Sequence, residues 1–128
     1  LKAGLDAAAH LAAGRALAPL RDEGVLIVGS GMSWHNMRGF SPAFTARSAT
    51  FDAWLEGAVT DPAQRDAALA LWETAPHGRE AHPREEHLLP LMVVAGAADG
   101  EPGQIAFRDT VMDVVVSAVA FGRPAVAG

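Results

Sequence analysis

Cysteine is absent from the 128 residues. That excludes disulfides and thiolate ligands, so any metal ion here must be held by histidine, aspartate or glutamate. Positive charge is also scarce: ten Lys and Arg stand against fifteen Asp and Glu, for a formal net charge of −5. The basic residues form no cluster that could track a phosphate backbone, and nucleic acid is not an expected partner. Long apolar runs are missing too. No stretch is long enough and free enough of charge to cross a bilayer, and the N-terminus lacks a basic region followed by an apolar core. These absences point to a soluble, cytoplasmic protein with no membrane partner. Residues 1–128 are short enough to be a single domain or a fragment of one, and Leu1, standing where an initiator methionine would, favours the fragment.

What is present begins with helical spacing. Leu5, Ala8, Ala9, Ala12, Ala16 and Leu20 recur on one face, which predicts a helix from about Leu5 to Leu20, with Arg15 and Arg21 near its C-terminal end. After the turn Asp22-Glu23-Gly24, Val25 to Val28 form a continuous β-rich apolar run, the pattern of a strand buried on both faces. Residues 37–48 contain Gly39 and Pro42 and read as a loop or broken helix. Phe51 to Val59 and Pro62 to Glu73 predict two helices divided by Thr60-Asp61-Pro62, with Phe51, Trp54, Leu55, Leu69 and Trp72 packing inward. Glu85 to Ala98 predicts an apolar helix that Pro90 kinks or delays. Gln104–Arg108 and Val111–Val119 read as two closing strands, followed by a disordered tail after Gly122. Alternating helices and apolar runs of this kind define an α/β chain with a central sheet flanked by helices.

The chemistry-bearing residues lie in two polar islands. The first follows Gly29-Ser30-Gly31, where a glycine-rich turn after a strand brings the backbone close to a bound group and sets His35, flanked by Trp34 and Asn36, at a sheet rim. A histidine fixed there can take and give a proton near neutral pH; equally, a loop imidazole can serve only to satisfy backbone carbonyls. The second island is His82-Pro83-Arg84-Glu85-Glu86-His87. His87 and Glu86 sit near a helix start and are of the two ligand types that non-haem iron and zinc share, whereas Glu85 suits a solvated first turn. His82 cannot share a helical face with His87, because five residues rotate through about 140°; it can reach the same cleft from the loop, or serve structure alone. His10 and His77 are assigned to no site. Ser30 and Ser33 lack the strand-to-helix serine elbow of a nucleophile.

His10 through Arg21, Gly24 through Gly31 and His35-Asn36, together with the segment from His82 to Gly96-Ala97-Ala98, resemble the DODA-type (DOPA 4,5-dioxygenase-like) branch of the class III extradiol ring-cleaving dioxygenases. The resemblance covers nearly the whole chain, but only the C-terminal half of the family's usual length. It implies a partial α/β fold and one non-haem metal ion, Fe(II) with Zn(II) as the alternative, that leaves positions open for a catechol-type substrate and O2. His35 matches the family's acid/base histidine, which some members use as a ligand. His87 matches the late metal ligand, with Glu86 as the adjacent alternative, and His82 is placed at the substrate. The family's first two metal histidines come from its N-terminal half and have no match here. The resemblance therefore implies a partner, either the N-terminal half of the same protein or another chain, with a homo-oligomer also open. A shared site further requires His35 and His87 to converge at the C-terminal edge of the sheet. The reading from a different class is a metal-free binding or scaffold domain that keeps the fold without the site.

Overall fold

The computed structural model of the chain describes residues 1 and 3–122; the tail expected after Gly122 lies outside them. Helix α1 spans Ala7–Leu17 and is capped by Asp6, whose carboxylate accepts the Ala9 N–H at 3.0 Å. It ends before the expected Leu20 because Pro19 has no N–H and its ring crowds the preceding turn; the chain tightens instead into a 3-10 turn over Ala18–Glu23. Helix α2 spans Thr45–Thr60 and α3 Arg65–Ala70. The expected start of α3 at Pro62 is delayed by Asp61, whose side chain accepts the Ala63 N–H and whose carbonyl accepts from Gln64 and Arg65, so the Asx turn wins over helix at that point. A single turn, α4, spans Gly78–Ala81. Helix α5 spans Leu89–Ala97 after a 3-10 turn at Glu85–His87. Pro90 falls in its first turn, where a missing N–H breaks no intrahelical bond, so the proline delays the helix without kinking it.

Helices α1 and α5 pack backbone to backbone. A Cβ at Gly14 would lie 2.0 Å from the Val93 carbonyl oxygen, and one at Gly96 would lie 2.1 Å from that of Leu11. Glycine is required at both positions for the helices to approach this closely. Leu11, Leu55, Leu69, Trp72, Leu89 and Met92 make the main core, and Trp34, Phe51, Ala81 and Val114 a second cluster. Of the side chains expected to face inward, Phe51, Leu55, Leu69 and Trp72 are buried and Trp54 is half-buried.

The closing strands form an antiparallel hairpin, β1 Gly103–Val111 and β2 Val114–Phe121, with an irregular register between Ile105 and Phe107. Its turn lies later than the sequence pattern suggests, so Val111 belongs to the first strand and pairs with Val114. Met112 and Asp113 both take left-handed backbone, φ 48° and 66°. That is the geometry whose twist matches a tight hairpin, built here without the glycine that usually announces it. Helix α2 holds the hairpin: Ser48 Oγ accepts the Val115 N–H at 2.9 Å, and Arg108 bridges Asp52 and Glu56 at 2.7 Å each. Buried Arg65 donates to the carbonyls of Asp99 and Glu101 and so pins the turn between α5 and β1.

One expectation is corrected. Val25 to Val28 is not a buried strand: it runs without strand pairing, and Val25, Leu26 and Val28 are 44, 84 and 77 % exposed. A strand exists only by pairing with another, and the strands among the described residues, β1 and β2, pair with each other. The segment lies along α5 instead, where a Cβ at Gly29 would lie 2.6 Å from the Pro90 carbonyl oxygen. Between this segment, α5 and β2 runs a groove of about 650 Å³.

Two outcomes are expected. Gly14→Ala and Gly96→Ala should each destabilise the chain by about 1–3 kcal/mol through overpacking, outweighing the ~1 kcal/mol gain in helix propensity. Gly57→Ala, with open space around it on α2, should show the gain alone; thermal unfolding of the three variants, made in the complete polypeptide, checks both. The isolated chain, with its apolar segment uncovered, should elute as associated or expanded species and unfold without a sharp transition. A compact monomer with one cooperative transition would overturn that expectation.

Candidate active site

The two polar islands meet because their backbones satisfy each other. Both are irregular and carry N–H and C=O groups that no helix or sheet uses. The Met32 N–H donates to the His87 carbonyl at 3.0 Å, and the His35 N–H to that of Ala81 at 2.9 Å. Asn36 Nδ2 donates to the Glu80 carbonyl at 2.8 Å. Gly31 permits the approach, since a Cβ there would lie 2.2 Å from the His87 carbonyl oxygen.

As a result the rings of His35 and His87 stack, with centroids 3.5 Å apart and planes inclined by 12°. Both are half-buried and stand at the surface of the joined loops, and His87 also lines one end of the groove. The two rings converge, but not at the expected C-terminal edge of a sheet, because no strand forms ahead of the His35 loop. Glu86 is half-buried beside His87, with no ion pair among the described residues. Glu85 is engaged elsewhere. Arg79 hydrogen-bonds it at 2.7 Å, and that bond holds the Glu85 carboxyl below the usual carboxylate range.

His82, expected at the substrate, has no exposed surface. Phe51 and Trp72 meet its ring edge-on, and Nε2 lies 2.8 Å from the Ser33 carbonyl oxygen. That bond makes Nε2 the protonated nitrogen and leaves Nδ1 buried without a partner. Burial lowers the His82 pKa to about 4, opposed by the Ser33 bond and assisted by the neighbouring His35 and His87 rings. His82 is therefore a neutral interior group behind the stacked pair. Ser33, which lacks a nucleophile's setting in the sequence, proves to be a junction: its carbonyl takes His82, and its hydroxyl accepts the Ser117 N–H at 2.9 Å. Nothing in the sequence signals this. His10 packs in α1 against the Asp6 carbonyl, and His77 faces Glu80 at 3.2 Å, away from the pair.

Imidazole and carboxylate are the donor types that suit a non-haem metal. Among the described residues, however, no three or more such groups are arranged to hold an ion.

A zipped pair of loops bearing two convergent histidines on a partial α/β scaffold belongs to a definite class. The chain is a member of the family described as the catalytic LigB subunit of aromatic ring-opening dioxygenase, which matches residues 1–122. It is 45% identical over 98 residues to a 4,5-DOPA dioxygenase extradiol of Beta vulgaris, covering 73% of this chain and 36% of that protein. The corresponding protein of Portulaca grandiflora is 43% identical over 99 residues, with the same coverage. The one from Escherichia coli is 35% identical over 102 residues, covering 74% and 37%. The crystal structure of an uncharacterized Escherichia coli K12 protein superposes with a TM-score of 0.71 at 30% identity, over 88% of this chain and 49% of that one. The chain thus spans little more than a third of the length of these relatives and about half of the solved chain.

The depressed pKa of His82 has a consequence for stability. The folded state keeps the ring neutral down to about pH 4, while the unfolded chain takes up its proton near pH 6.5. The contribution is complete above about pH 6.5 and is lost as pH falls toward 4, by roughly 3 kcal/mol at most. Chemical denaturation of the complete polypeptide without metal across this range should show that slope. His82→Gln should flatten it, and an equal slope in both proteins would contradict the assignment.

Proposed function

We propose that this chain is the part of a metal-dependent extradiol dioxygenase that carries the acid/base histidine and one metal ligand. The complete enzyme would cleave a catechol-type ring with O2. The observation that carries the reading is the stacked pair His35 and His87, held on loops that hydrogen-bond each other, in a chain of the ring-opening dioxygenase family. The 4,5-DOPA dioxygenase names of its relatives support a catechol as substrate.

In this reading His87 is the metal ligand, with Glu86 as the alternative, and His35 moves the proton. The metal, Fe(II) with Zn(II) as the alternative, would supply the site that orients the two hydroxyls and O2. The remaining ligands come from residues outside this chain, in a longer polypeptide or a partner, which agrees with the partial donor set. His35 suits proton transfer because its main chain is fixed by Ala81 and its ring stays accessible. It would take a proton from a catechol hydroxyl and return it as the ring opens. His82, fully buried, is reassigned from touching substrate to bracing the pair from behind. The apolar groove that reaches His87 would keep water from the ring face.

The decisive comparison uses the complete enzyme. His35→Ala should cut ring-opening turnover by ~10²–10⁴-fold while metal content changes little. His87→Ala should lose metal first, and Glu86→Gln shows which neighbour coordinates. Equal collapse of metal content in the two histidine variants would make His35 a ligand. Survival of both turnover and metal content in both variants would leave a metal-free binding or scaffold domain as the function.

A further inference from the structure

Charge pairing around the site is uneven. Of the arginines among the described residues, Arg15, Arg21, Arg47, Arg65, Arg79 and Arg108 each have a carboxylate within ion-pair distance. Arg38 and Arg84 have none, and both are exposed. Arg38 lies three residues after His35, and Arg84 three residues before His87. In a protein of net charge −5, the arginines left without an ion-pair partner among the described residues thus flank the two site histidines in sequence. Arg84 interacts electrostatically with Glu85, and Glu86, without an ion pair among the described residues, stands near it in sequence.

The position of Arg38 is built. Residues 36–39 form a turn closed by the Gly39 N–H on the Asn36 carbonyl at 2.8 Å. Asn36 Oδ1 accepts the Arg38 N–H at 3.0 Å, and Asn36 Nδ2 anchors the turn to Glu80. The indole of buried Trp34 donates to the Gly39 carbonyl at 3.1 Å. The turn therefore has little freedom, yet its tip presents Met37, 74 % exposed, and the Arg38 side chain. A stiff turn that displays a polarizable thioether and a guanidinium without an ion-pair partner has the chemistry of a recognition element. Even fully extended, three residues span only about 11 Å, so a ring held at His35 lies within a side chain's reach of Arg38.

We propose that Arg38 is a specificity-determining residue that binds an anionic substituent, a carboxylate, carried on the aromatic ring, and that Arg84 adds to the positive potential on the other side of the site. The proposal rests on the ring-cleaving reading and adds to it a residue that selects the substrate. Guanidinium suits this task because its planar fork meets both oxygens of a carboxylate.

The test uses the complete enzyme with two catechols of similar size, 3,4-dihydroxyphenylacetate and neutral 4-ethylcatechol. Wild type should prefer the carboxylated ring, and added salt should weaken that preference. Arg38→Gln should reduce the ratio of kcat/KM for the two substrates by roughly ten- to a hundredfold, mainly through KM of the carboxylated one. Arg38→Lys should restore part of the ratio, and Arg84→Gln should lower it less. If Arg38→Gln depresses both catechols alike, or neither, Arg38 does not read the charge and the proposal fails while the dioxygenase reading stands. If wild type opens neither ring, the dioxygenase reading fails and this proposal falls with it.

Discussion

The site depends on one constraint: two irregular loops whose backbone groups must find partners and find them in each other. The bonds from Met32 to His87 and from His35 to Ala81 leave little room for either loop to move separately. Everything functional follows from this zipper. It stacks His35 on His87, draws His82 beneath them, and fixes the turn that displays Arg38. Gly31 is the steric condition for it, because any side chain there would run into the His87 carbonyl.

A polar network behind the zipper links it to the hairpin. Ser33 accepts from both His82 and Ser117, Ser117 Oγ donates to Asp52, and Asp52 accepts from Arg108. Ser33, Ser117 and Asp52 are each satisfied within the network, as buried polar groups must be to avoid a desolvation cost, whereas His82 Nδ1 is left without a partner. Asp52 is buried and its partner Arg108 half-exposed, so the charge is compensated at the rim of the core. The hairpin thereby buttresses the two joined loops.

The segment Val25 to Val28 runs without ladder partners along α5 and lines a groove, and no group of three or more metal-donor side chains occurs among the described residues. The chain covers about a third of the length of its relatives.

Much was legible in the sequence because it rests on local rules. The helices α1, α2 and α5, the delaying effect of Pro90 and the inward faces of Phe51, Leu55, Leu69 and Trp72 all follow from spacing and residue type. Their neighbours along the chain carry most of the physics. Other features were decided only in three dimensions. Val25 to Val28 has the composition of a strand, yet strand formation depends on a partner elsewhere. The Met112-Asp113 turn is set by pairing register, not by turn-forming residues. Ser33 is a junction and His82 a buried neutral group only because segments far apart in sequence close over them. Burial, orphaned nitrogens and unpaired arginines are properties of an environment, and no single stretch of sequence contains the environment.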